Sequence, residues 1–232
     1  MYIDWLYIIM ILPAVLFSLW ASANVKSTYK KYGEQFNARG LTAADAARRV
    51  LAANGLSGVA IEQIDGELTD HFDPSSNVIR LSAGVCGSSS TAAVGVACHE
   101  VGHAIQHAEG YMPERIRNAI VPVTNFGSKL SMPLIFAGLI LAGLSNAFIY
   151  LAYAGVACYG LCAIFQFVTL PTEFNASHRA LAGIQELGLL TPQEEEGARK
   201  VLRAAALTYV AAMAVTLLQL LRFLFMVMNR RD

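Results

Sequence analysis

The chain has 232 residues, 55% of them hydrophobic and only 15% charged, with a formal net charge of zero. Soluble domains carry roughly a quarter charged residues, so the deficit points away from an ordinary soluble protein, and the charge balance leaves no basic footprint for nucleic acid. Cys86, Cys98, Cys158 and Cys162 form no C-x-x-C pair and read as free thiols rather than a disulfide framework or a cysteine metal site.

Ile3 to Ala23 is an apolar run broken only by Asp4, Ser18 and Ser22. About 20 such residues cross a bilayer as a helix, so residues 1–25 are expected to form a first transmembrane span. A cleaved signal peptide would have a basic start and a shorter core; this chain starts Met-Tyr-Ile-Asp. Trp5, Tyr7 and Trp20 suit the membrane interfaces.

Residues 26–130 turn soluble in composition. Thr42 with Asp45 three residues on, and Asn54-Gly55 at the far end, frame a helix. Val59 to Ile64, Leu68 to Phe72 and Val78 to Ser82 are β-prone pieces separated by Asp65-Gly66 and by Asp73-Pro74-Ser75-Ser76-Asn77. They predict a small hairpin-rich sheet. Ser88 to Ser90 cap a helix from about Thr91 to Ala108, stopped by Gly110 and Pro113.

Pro133 to Leu170 contains no charged residue. As one helix it would reach about 57 Å, far beyond a hydrocarbon core of about 30 Å. Two spans joined near Ser145-Asn146 fit better, so residues 131–170 are expected to be a transmembrane hairpin. Residues 171–203 are polar again, with a helix begun by Pro171 and another opened by Thr191-Pro192 and rich in Glu194, Glu195 and Glu196. Residues 204–232 supply a fourth span, Ala204 to Met228, with Arg222 snorkelling near its end and a basic tail.

The sharpest local feature is His99-Glu100-Val101-Gly102-His103. Residues four apart share a helix face, so both imidazoles can reach one metal ion, with Glu100 beside them to act on a metal-bound water. Catalytic zinc takes three protein ligands and leaves a position for water. A third histidine six residues after His103 would need His at position 109 and Gly at 106, where Glu109 and Gln106 stand, so that pattern is excluded. His107 lies about 6 Å further along the axis and reads as a flanking polar residue. Glu173, just after the predicted hairpin, is a candidate third ligand; on residue physics alone a helix-capping glutamate is an equally good reading.

At these residues the chain resembles the YugP-type neutral zinc metallopeptidases of bacterial membranes. The resemblance covers nearly the whole length and rests on His99 to Gln106, on Leu68-Thr69-Asp70-His71-Phe72-Asp73-Pro74, on Pro171-Thr172-Glu173-Phe174 and on Ala204 to Ala212. A more distant likeness is to HtpX-like membrane peptidases, whose third ligand lies in a Glu-Phe-x-Ala-Asp stretch. Glu173-Phe174-Asn175-Ala176-Ser177 matches it except at Ser177. The resemblance implies Glu173 as the third zinc ligand. It leaves either Ser177 or Asp70 to orient a ligand histidine, and gives Asp70 and His71 a further candidate place in substrate binding.

The expectation is therefore an α-helical membrane protein with about four transmembrane helices and a small α+β gluzincin-like metallopeptidase unit. Zn2+ is expected on His99, His103 and Glu173, with Glu100 as catalytic base and a peptide or protein as substrate. Val78 to Ser82 is a candidate edge strand for an extended peptide, structural sheet being the equal alternative. Of the 17 Lys and Arg residues, 14 fall between Lys26 and Lys129 or between Pro171 and Arg203. The positive-inside rule then puts the zinc site on the cytoplasmic side of a bacterial cell membrane, leaving the Arg230 and Arg231 tail outside if all four spans cross. A zinc-binding scaffold or chaperone-like protein without turnover is the rival reading, and a transporter or assembly factor with an accidental motif the third.

Overall fold

The computed structural model describes residues 7–229. Asp4 and Trp5, and the tail residues Arg230 and Arg231, lie outside the described residues. In chain order, a π-helical turn Tyr7–Ile11 leads into α1 (Leu12–Gly33), followed by α2 (Ala43–Ala53), β1 (Ala60–Ile64), β2 (His71–Asp73), β3 (Val78–Ser82) and α3 (Ala83–Cys86). Then come α4 (Thr91–Glu109), α5 (Met112–Leu141), α6 (Ile149–Glu186) and α7 (Pro192–Met228). The chain divides into two units, residues 1–21, 116–170 and 208–232 in one and residues 22–115 and 171–207 in the other.

The first unit takes its residues from α1, α5, α6 and α7, four helices long and apolar enough to cross a membrane. Its large apolar side chains point outward: Ile9, Leu16, Phe126, Ile140, Tyr150 and Phe167 are all exposed. Exposed apolar surface on this scale needs a covering phase, and a bilayer supplies it. α5 and α6 form two arms joined by a turn at residues 142–145, close to the expected Ser145-Asn146. The arms touch through small residues: Gly138 abuts Ala152, and a Cβ on Gly155 would lie 2.7 Å from both the Ile135 nitrogen and the Ser131 carbonyl oxygen. Ile135, Leu139, Ile149, Ala152, Val156, Phe223 and Val227 form this unit's buried cluster.

Two helix starts differ from expectation. The first arm begins at Met112, so Pro113 opens α5 instead of merely closing α4, and Pro122 and Pro133 lie inside it. Pro171 likewise lies inside α6 and does not begin a helix. In apolar surroundings a chain that leaves the helix exposes unpaired backbone groups, which outweighs the local cost of a proline.

The second unit is built around α4, where the predicted signals operate as expected. Ser90 Oγ accepts from the Ala93 N–H at 3.2 Å, and Gly110 closes the helix in the left-handed conformation at φ 65°. Its apolar faces are buried with those of α2, β3 and the adjoining turns of α6 and α7, through Val50, Leu51, Ile79, Leu81, Val94, Val101 and Ile184.

The sheet has the order β1-β3-β2, with β1 parallel and β2 antiparallel to β3. This corrects two expectations. Asp65-Gly66 does not make a β1–β2 hairpin, and Val78–Ser82 is the central strand, with no edge to offer a peptide. The reason is apolar content: Val78, Ile79 and Leu81 are buried, so β3 takes the interior, while His71-Phe72-Asp73 takes the edge. Leu68, at φ 53°, stands outside β2.

Candidate metal centre

α4 and α6 meet backbone to backbone at Gly102 and Ala176. A Cβ on Gly102 would collide with the Ala176 carbonyl, so only glycine permits this approach. It brings the His99 and His103 face of α4 against the Glu173 and Ser177 face of α6. His99 Nε2 and His103 Nε2 lie 3.3 and 3.6 Å from the same atom, Glu173 Oε2. One ligand atom from each of the three residues lies within 4.8 Å of the other two.

Zinc bonds of about 2.0–2.1 Å in tetrahedral geometry place neighbouring donor atoms about 3.3–3.4 Å apart. The two nitrogen-to-oxygen separations fall close to that spacing, so the donor set fits Zn2+ in chemistry and in span. The Glu173 side chain is only 4% exposed, whereas His99 and His103 keep 16% and 13%; access is from the histidine side. Burial by itself raises the Glu173 pKa, but the adjoining His103 and His99 outweigh it and hold the carboxyl well below its usual range. Cys98, beside His99, is no competing ligand: complete burial pushes its thiol up to about 12, so it stays protonated.

Glu100 stands apart from the three ligand atoms. Its Oε2 accepts the Phe72 backbone N–H at 2.9 Å, across from β2. Ser177 Oγ lies 3.1 Å from His99 Nδ1. Asp70 is elsewhere: its Oδ1 accepts the Ser82 N–H at 2.7 Å, holding the end of β3, so of the two candidates Ser177 is the one that meets a ligand histidine. His71 is exposed, with Nδ1 2.8 Å from the Thr69 carbonyl just before β2. His107 faces Glu114 at 3.4 Å, and Glu109 pairs with Arg179 at 2.6 Å.

Two partners escaped the sequence reading. One is the Phe72 N–H, a backbone group that no residue type announces. The other is Gln106, fully buried, with Oε1 3.0 Å from His103 Nδ1. Its signal was available: it lies three residues after His103, on the same helix face.

No solved structure matches the chain significantly. A protein of Bacillus subtilis (strain 168) named "Putative membrane protease YugP" is 45% identical over 227 residues, covering 98% of this chain and 99% of that protein. The family described as "Putative neutral zinc metallopeptidase" matches residues 7–228. With that span and that identity, the chain belongs to the neutral zinc metallopeptidase family, as a membrane protein whose cofactor is Zn2+.

Proposed function

We propose that the chain is a membrane-embedded zinc endopeptidase of gluzincin type, with His99, His103 and Glu173 as zinc ligands and Glu100 as general base. The observation that carries this reading is the convergence of two imidazole nitrogens on one Glu173 oxygen at ligand spacing, with a second, non-ligand carboxylate, Glu100, on the same turn of α4.

Bound zinc supplies Lewis acidity, acidifying a water and polarising a carbonyl. Glu100 takes the proton from the attacking water and delivers it to the nitrogen of the departing amine. The Phe72 N–H steadies one carboxylate oxygen and leaves the other to move the proton. β2 is the sheet edge nearest this carboxylate, and Phe72 turns its N–H away from β3. An extended peptide added to that edge would lie across Glu100, which supports a polypeptide substrate.

Glu100→Gln should keep its zinc and lose about 10²- to 10⁴-fold in peptide hydrolysis, whereas Glu173→Ala should lose the metal itself. Metal content by elemental analysis, with hydrolysis of a diverse peptide mixture with and without chelator, reads both. Wild-type turnover by the Glu100 variant would overturn the mechanism, and a metal-loaded wild type without turnover would favour the scaffold reading.

The concentration of Lys and Arg in the segments flanking the hairpin supports a multi-pass protein with its site facing the cytoplasm. In a variant without the native cysteines, cysteines placed at Ser27 and Thr191 should label from the cytoplasmic side, and one at Ser145 from the other. Labelling of Ser27 and Thr191 from opposite sides would refute a shared metal site.

A further inference from the structure

Gln106 is a fully buried carboxamide in contact with both ligand-bearing helices. Which end of such an amide faces which partner is ordinarily an assignment. Here two neighbours decide it on chemical grounds. The Thr172 backbone carbonyl, 2.8 Å from Gln106 Nε2, can only accept. Asn175 Oδ1, 2.9 Å from the same nitrogen, is fixed in turn by the Arg179 Nε–H at 2.7 Å, because a guanidinium can only donate. Both neighbours therefore demand the NH2 of Gln106. Its oxygen is left facing His103 Nδ1, and that nitrogen must carry a proton to donate.

We infer that Gln106 is a positioning residue that fixes His103 as the Nδ1–H tautomer and so presents its Nε2 lone pair to the metal. The polarity runs from Arg179, itself held by Glu109 at 2.6 Å, through Asn175 and Gln106 to the imidazole. Thr172 immediately precedes Glu173, so the same carboxamide also sets the distance between the histidine helix and the carboxylate ligand. His99 is treated differently. Its Nδ1 partner is the Ser177 hydroxyl, which can donate or accept, so it leaves the tautomer of His99 open.

This assignment rests on the zinc reading but can be tested without turnover. In metal-free protein with ¹⁵N-labelled histidine at alkaline pH, His103 should show a protonated, slowly exchanging Nδ1. Gln106→Met, matched in size but with no acceptor, should lose that signal and weaken zinc about 10- to 100-fold in chelator competition, the usual effect of removing a ligand's hydrogen-bond partner. Gln106→Glu keeps an acceptor toward His103 but sets an oxygen against the Thr172 carbonyl and Asn175 Oδ1, so it should retain the Nδ1 proton while losing affinity. If the Met variant does not fold, Asn175→Leu, at a partly exposed position, removes one of the two groups orienting Gln106 and should shift both readouts less, in the same direction. An unprotonated Nδ1 in wild type, or a Met variant that keeps both the Nδ1 proton and wild-type zinc affinity, would overturn the inference. Absence of zinc from wild-type protein would instead sink the metallopeptidase reading, with the tautomer still measurable.

Discussion

The membrane unit and the site unit bury polar groups in opposite ways. In the membrane unit, the buried hydroxyls of Ser131 and Thr169 fold back on their own helices, donating to the Ser128 and Phe165 carbonyls at 2.8 Å each. In the site unit the buried polar groups reach across elements. Gln106 joins α4 to α6, the Phe72 N–H joins β2 to α4, and Glu194 Oε1 accepts the Ala38 N–H at 2.7 Å. In lipid a polar group is safest when satisfied inside its own segment. A metal site has the contrary need, because its ligands come from distant parts of the chain and must be held in register. A steric fault in the first unit should therefore remain a packing fault, whereas one in the second should reach the metal.

Two glycines break or sharpen that contrast most strongly. At Gly102 an added methyl meets the Ala176 carbonyl, and at Gly155 it meets the backbone of Ile135 and Ser131. Overpacking of either kind costs about 1–3 kcal/mol. Gly102→Ala should in addition push α4 from α6, open the spacing between His99, His103 and Glu173, and weaken zinc on the order of 100-fold, the upper end of what disturbed ligand orientation costs. Gly155→Ala should lower unfolding resistance in detergent by a similar amount and leave zinc affinity unchanged. Equal zinc losses in the two variants, read by chelator competition, would erase the distinction between the units.

The same contrast explains what was legible in the sequence. α2 and α4 carry their own start and stop chemistry, Thr42 with Asp45 and Ser90 with Gly110, and a histidine pair four apart is a local pattern. The hairpin follows from length against bilayer thickness, a one-dimensional quantity. Pro171 misled because a proline reads as a helix start only when surroundings are ignored. The strand order was hidden because turn residues mark where a chain reverses, but burial decides which strand is central, and β3 wins through Val78, Ile79 and Leu81. Glu173 stood above a capping glutamate only by family resemblance, because the local sequence read Pro171 as a helix start, whereas α6 runs unbroken through it. Gly102 was read as a letter of the motif, and its contact with Ala176 exists only in three dimensions.

The smallest expected effect is at Ser177, and it asks whether residues across the α4–α6 junction tune the metal or merely tolerate it. Its hydroxyl faces His99 Nδ1 at 3.1 Å and makes a neutral hydrogen bond, with a net value of about 1 kcal/mol. Ser177→Ala should therefore weaken zinc only about fivefold, by the usual conversion of free energy to affinity. A carboxylate at this place would accept the Nδ1–H in a charge-assisted bond roughly twice as strong and hold His99 in one tautomer. Ser177 lines a cavity of about 530 Å³ with Phe174, His178 and Leu181, and Arg199 and Arg203 on its wall. There is room for the longer side chain, and cationic neighbours favour its ionised form. Ser177→Asp should thus bind zinc more tightly than wild type, by up to about tenfold for a gain of some 1.4 kcal/mol. The three proteins need only be ranked in one chelator titration, with Asp above Ser above Ala. Equal affinities in all three proteins would show that the orientation of His99 is set by α4 alone.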